Sequence, residues 1–193
     1  NKTNIFFKKS TPYDTTEETY DVCFSGVDAS THPRRREAWE SVINAGFNCV
    51  GGLQPNPNSS VPLSEDLLGP RLVGEQYRTT LCQTKINLAL EGIGEYTFRH
   101  QELFFLGKFV LSNASIAEVE LPMPLEEGRH YATFTSMADM VEKIRYYLEH
   151  NDERRQTAPN GWEVFQKYYN PALQGKHIID AIENVITHRK RSI

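Results

Sequence analysis

Between Lys85 and Asn113 the chain reads KINLALEGIGEYTFRHQELFFLGKFVLSN, and few folds accommodate such a run. Two apolar segments, Lys85 to Leu90 and Lys108 to Ser112, have the length and composition of buried strands flanked by turn signals. Between them comes a loop holding Gly92 and Gly94. Thr97 is then placed to cap a helix whose first turn carries Arg99, His100 and Gln101 and whose end is marked by Gly107. The expected order is strand, loop, helix, strand. A helix start, glycines that let a ligand approach the backbone, and a nearby arginine together describe a phosphate cradle. Glu102, one helical turn below Arg99 and His100, is placed to accept hydrogen bonds from hydroxyls beside that phosphate. Phosphate next to a diol describes a nucleotide, although a plain loop and helix joining two strands of any α/β domain would read similarly.

A second basic helix start lies upstream. Asp21 to Val27 is the first convincing strand, and Pro33 sits where a helix accepts a first-turn proline. Arg34, Arg35 and Arg36 open a helix to about Ala45, with Ala38, Trp39, Val42 and Ile43 at helical spacing. Three arginines at a helix start oppose its dipole unless something negative lies close; a solvated basic turn is the alternative. Gly46 ends this helix, and Phe47 to Leu53 reads as the next strand. Gln54 to Pro62 is a loop by composition, and Ser64 to Gln83 reads as a helix interrupted at Gly69 and Pro70. Further on come a loop from Pro122 to Glu127 and a short strand from His130 to Phe134. Ser136 caps a helix over Met137 to His150, and two more helices span about 152 to 168 and 173 to 188, separated by Pro171.

Residues 1–19 read as a polar lead-in segment and 20–193 as one α/β domain. Strands alternating with helices indicate a Rossmann-like parallel sheet with helices on both faces, followed by a C-terminal helical run. Such sheets bind ligands outside the carboxyl ends of the strands, where the strand order reverses. The Ser25 to Arg36 and Gly92 to Glu102 loops both leave such ends, so two candidate anion sites face one crevice.

Composition narrows the ligand. A net charge of -4 over 193 residues argues against a broad nucleic-acid surface, which needs clustered basic side chains. Cys23, Cys49 and Cys82 lack metal-like spacing and are odd in number, which suits free thiols in a reducing, cytoplasmic setting. Sequons at Asn1, Asn58 and Asn113 keep a secretory-pathway lumen as the alternative. No signal peptide or membrane-length apolar span is expected. The P-loop and the full GxGxxG fingerprint are absent, Ser25 and Cys82 lack an evident base, and the scattered histidines suggest no metal site.

The order DVCFSG, RRREAWESV, GEYTFRHQELFFLGKFVLSN, LEEGRHYATFTSMADMVEKIRYYLEHNDERR, NGWEVFQKYY resembles the carboxyl-terminal half of GT-B glycosyltransferases over about residues 20 to 170. The spore-maturation type with a family 1-like tail is most similar, with some likeness to CAP10-like O-glucosyltransferases. The resemblance implies a donor-binding domain for a UDP- or GDP-sugar, without a cofactor or metal, whose sugar passes to an unidentified acceptor hydroxyl. It implies that Glu102 binds the ribose, and that Arg99 and the backbone from Gly94 and Tyr96 through Thr97 to His100 hold the diphosphate. Arg35, Lys85 and Arg34 would add positive charge, and Glu95 and His100 are the titratable candidates for a catalytic part. Many retaining members carry two glutamates eight residues apart here, whereas Glu95 and Glu102 are seven apart and Gly94 holds the eighth position. The amino-terminal, acceptor-binding domain of such enzymes is missing from this sequence. A non-catalytic nucleotide- or partner-binding module of the same fold is the second reading, and a structural domain without a ligand the third.

Overall fold

The computed structural model describes residues 17–28, 33–58, 61–121, 123–169 and 171–191. Strands β1 (Tyr20–Val27), β2 (Cys49–Gln54), β3 (Thr84–Ala89), β4 (Val110–Asn113) and β5 (Ala132–Phe134) form one parallel sheet, ordered β2-β1-β3-β4-β5. Helices α1 (Arg34–Asn44), α2 (Gly74–Cys82), α3 (Phe98–Phe105), α4 (Met137–Glu149), α5 (Asn151–Tyr168) and α6 (Pro171–Arg191) complete the order. This is the Rossmann-like α/β architecture expected from the sequence.

Side-chain alternation along the strands explains why both faces are covered. Val22, Phe24, Ile86, Leu88 and Leu111 face one way, against Ala38, Trp39 and Val42 of α1 and Met140, Ile144 and Tyr147 of α4. Cys23, Ala89 and Val110 face the other way, against Leu81 of α2, Leu103 and Phe104 of α3, and Phe165 of α5. Ser136 caps α4 as its sequence predicts, accepting the Asp139 N–H at 3.1 Å.

Two segments differ from expectation. Ser64 to Gln83 is not a broken helix: it holds a single 3-10 turn at Glu65–Leu67, an extended crossing, and then α2. The crossing lies backbone to backbone on β2. A Cβ on Gly69 would sit 2.0 Å from the Gly51 carbonyl oxygen, and one on Gly52 would sit 2.6 Å from Gly69. Leu68 bridges to Leu53, and Gly69 N–H donates to Leu53 O at 3.2 Å. The last helix also starts earlier, because Pro171 is its first residue rather than the break before it. Along α6 the described side chains of Ile178, Ile179, Ile182, Val185 and Ile186 are exposed.

Of the expected lead-in segment, residues 1–16 lie outside the described residues. Glu18 accepts from Arg154 at 2.8 Å and from Lys108 at 3.0 Å, although Arg154 and Lys108 are almost completely buried.

Candidate functional site

The chain leaves β1 toward β2 but leaves β3 toward β4, so the order reverses between the adjacent strands β1 and β3. A cleft of about 800 Å³ opens there, lined from the β1 end by Phe24, Ser25 and Gly26 and from the β3–α3 side by residues from Leu90 to Glu102. The topology thus puts the cleft where a doubly wound sheet binds ligands.

Two cations enter the cleft from different helices. Arg99, in the first turn of α3, donates through Nη2 to Ser25 O at 2.5 Å, and its guanidinium lies 4.9 Å from the Tyr77 ring centre. Its Nη1 is buried and has no hydrogen-bond partner. Arg35, in the first turn of α1, donates through Nε to Glu91 O at 2.9 Å and through Nη1 to Val27 O at 3.3 Å. A Cβ on Gly92 would meet Arg35 Nη2 at 2.9 Å, so a side chain there would push the guanidinium tip aside. Burial pushes the Arg35 pKa down, and the positive charge of Arg99 lowers it further against the opposing pull of Glu91. Two guanidinium groups that repel each other and an unspent donor leave positive charge that an anion would offset.

The neighbouring arginines answer the helix-dipole objection. Arg36 pairs with the buried Asp28 carboxylate at 2.5 and 3.3 Å, and Arg34, 57% exposed, lies 3.5 Å from Glu91 and, contrary to expectation, does not line the cleft. Asp28, Glu91 and the carbonyls of Val27 and Glu91 are the negative partners that a basic helix start requires.

His100 does not line the cleft. It is fully buried, stacks on Tyr96 at 5.2 Å, and closes a capping box with Thr97, whose N–H donates to Nδ1 at 3.0 Å. With Nδ1 accepting, the ring proton is on Nε2, 2.9 Å from Ser112 Oγ. Burial brings its pKa down to about 3. The imidazole is therefore a neutral strut, which corrects the expectation of a catalytic histidine. It also occupies the Thr97 N–H, and His100 N–H returns to Thr97 O, so Phe98 and Arg99 keep the open donors of the helix start.

Two other expectations change. Glu95 turns its carboxylate to the Asn113 side-chain amide at 2.9 Å and to the Ser115 hydroxyl, and it is absent from the cleft wall. Lys85 is the second residue of β3 and pairs with Asp21 at 2.7 Å. That is the amino end of the strand, about 16 Å from the cleft at 3.3 Å per residue. Gly94, Tyr96, Thr97, Arg99, Arg35 and Glu102 all line the cleft.

Glu102 is the one carboxylate among the described residues that line the cleft. Its Oε2 accepts the Tyr77 hydroxyl at 2.6 Å and lies 3.7 Å from Arg99 Nε. Sequence reasoning placed Tyr77 only within the helical stretch read from Ser64 to Gln83. Its hydroxyl on an inward helical face was the signal that a buried polar partner waited there. Among the described residues, no group of three or more His, Cys, Asp or Glu side chains is placed to hold a metal ion. No helix among them is long and apolar enough to cross a membrane.

With the parallel sheet and the switch-point cleft in place, the chain's kinship is established by a sequence profile. The chain belongs to the glycosyl transferase-like family, whose profile matches residues 34–180. No curated protein matches the sequence. Among solved structures, HepE of Anabaena in complex with UDP-glucose superposes with a TM-score of 0.63 at 11% identity, covering 86% of this chain and 49% of that one. A variant of the T4 phage glucosyltransferase in complex with UDP-glucose gives 0.61 at 13% identity, covering 85% and 48%. The C-terminal domain of a group 1 family glycosyltransferase from Francisella tularensis gives 0.59 at 9% identity, covering 80% of this chain and 88% of that one. These likenesses establish the fold, that of the carboxyl-terminal half of a GT-B glycosyltransferase. The chain spans about half the length of the first and second of these proteins.

Proposed function

We propose that this chain is the donor-binding half of a glycosyltransferase, holding a UDP- or GDP-sugar while the sugar passes to an acceptor hydroxyl. The observation that carries the reading is Arg99, with its buried, unpartnered Nη1, sharing a switch-point cleft with Arg35 and Glu102. In this reading the diphosphate lies between the two guanidinium groups and the N–H donors of Phe98 and Arg99, with Gly92 and Gly94 allowing close approach. Glu102 receives the ribose hydroxyls. Breaking the sugar–phosphate bond builds negative charge on the departing diphosphate, and fixed cations that fit that charge better as it grows lower the barrier. A cleft of about 800 Å³ is large enough for a nucleotide sugar.

The acceptor and the group that activates it belong to a further, amino-terminal domain. The half-length match to relatives supports this, as does Glu102 being the one carboxylate in the described cleft wall, which this reading gives to the donor. The same observations favour a second reading, in which the chain binds a nucleotide without turning it over. Cys23, Cys49 and Cys82, none of them in a disulfide, support a reducing, cytoplasmic compartment.

Calorimetric titration with UDP, GDP, ADP and their sugars, repeated with Arg99→Gln and Glu102→Gln, tests the proposal. One nucleoside diphosphate should bind, and each substitution should weaken it about tenfold or more. Absence of binding at millimolar concentration would overturn it. Turnover by a longer natural chain, lost on Glu102→Gln, separates the enzyme from the non-catalytic module.

A further inference from the structure

We propose that Tyr77 is a positioning residue that braces the loosely paired Glu102 and Arg99 and aims each at the donor, so that it sets the preference for ribose over deoxyribose. This rests on the donor-binding reading of the cleft. Arg99 and Glu102 are three residues apart on α3, the spacing at which opposite charges on a helix close on one another. They pair only loosely: Nε and Oε2 lie 3.7 Å apart, within ion-pair range but beyond hydrogen-bond distance. Tyr77, reaching in from α2, engages both. Its hydroxyl donates to Oε2 at 2.6 Å, and its ring face lies 4.9 Å from the Arg99 guanidinium carbon. The hydrogen bond takes one carboxylate oxygen, and the ring supports the guanidinium by a cation–π contact. What each charged group has left is Oε1 on the carboxylate and the unpartnered Nη1 on the guanidinium.

This division matches two parts of one ligand. A carboxylate with Oε2 fixed presents Oε1 in a single orientation, which suits one hydroxyl of a ribose and penalises a sugar that lacks it. A guanidinium laid on a ring keeps its edge for phosphate oxygens. Burial raises the Tyr77 pKa, and although Arg99 pulls it down, Glu102 raises it again. The phenol therefore keeps its proton and remains the donor.

The test compares the nucleoside diphosphate that binds with its 2′- and 3′-deoxy analogues, by calorimetry on this chain, its Tyr77→Phe variant and its Tyr77→Leu variant. The wild type should prefer the ribonucleotide over one analogue by about tenfold, the effect of one hydrogen bond to a charged group. Tyr77→Phe keeps the ring and should bring that ratio to about 2 or below, with affinity for the discriminated analogue nearly unchanged. Tyr77→Leu should lose the ratio and also weaken binding of inorganic pyrophosphate several-fold, because the support beneath Arg99 is gone. Tyr77→Met, which fills similar space without a hydroxyl, supplies the same readout if the phenylalanine variant unfolds. A folded Tyr77→Phe or Tyr77→Met protein with an unchanged ratio would overturn the proposal alone, and so would a wild type that shows no ribose preference. A wild type that binds no nucleoside diphosphate would overturn the donor reading and this inference with it.

Discussion

His100 Nε2 lies 2.9 Å from Ser112 Oγ while Nδ1 accepts the Thr97 N–H, so one buried ring joins the start of α3 to the end of β4. The folded pKa, about 3, is far below the ordinary 6.5. A depressed base is neutral in the folded state and protonated in the unfolded state below pH 6.5. Its contribution is complete above that pH and is lost as pH falls toward 3. Relative to His100→Gln, the wild type should lose stability below pH 6.5 with a slope approaching 1.4 kcal/mol per pH unit, about one proton. Urea midpoints between pH 7.5 and 4.5 measure this, and parallel curves for the two proteins would refute it.

Burial lowers the Arg35 pKa and the positive charge of Arg99 lowers it further, so the charged guanidinium is costly to hold there. Arg35→Gln should leave the melting midpoint of the unliganded protein unchanged or slightly higher. The rise produced by a saturating nucleoside diphosphate should shrink, since ligand stabilisation follows affinity. Differential scanning fluorimetry with and without the ligand reads both quantities.

Glu18 serves two almost completely buried cations, Arg154 and Lys108. Glu18→Gln strands both charges and should cost about 3 kcal/mol or more. Adding Lys108→Met to that variant should recover part of the loss. A double-mutant cycle by denaturant unfolding gives the coupling, and additive effects would mean that Lys108 is held by Cys82 O alone, its other partner at 2.9 Å.

Asn113 is buried, with its amide given to Glu95 and to the Ser115 hydroxyl, the last residue of its own sequon. Asn58 is exposed. Expressed through a secretory pathway, the protein should carry no glycan on Asn113, whereas Asn58 is open to one. Peptide mass spectrometry decides the matter, and an occupied Asn113 would mean that the Glu95–Asn113–Ser115 cluster opens.

The frame of the fold was legible because its signals were local. Apolar runs of strand length marked β1 and β3, the proline and helical stripe marked α1, Thr97 marked the start of α3, and Ser136 that of α4. Arg35, Arg99 and Glu102 were legible as residues of the cleft wall because each sits beside a strand end that points to the switch point. Lys85 was misread because charge was counted without strand direction. In a parallel sheet every strand start lies at the far end from the cleft. His100 and Glu95 were misread because titratable chemistry in a loop says nothing about burial, and three-dimensional partners on β4 and just after it claimed both. Tyr77 stayed hidden because its partner comes 25 residues later in the chain.

β2 is the outer strand on its side of the sheet, and an uncovered outer strand is a template for another chain's backbone. Here Leu68 and Gly69 already occupy that position, through one bridge and the Gln54 side chain donating to Gly69 O at 2.5 Å. The cover closes only because Gly52 and Gly69 have no side chains to keep the two backbones apart. Substitutions at these glycines, far from the arginine cleft, should therefore be felt first as loss of solubility, through chains that pair edge to edge, before any change in what the cleft binds.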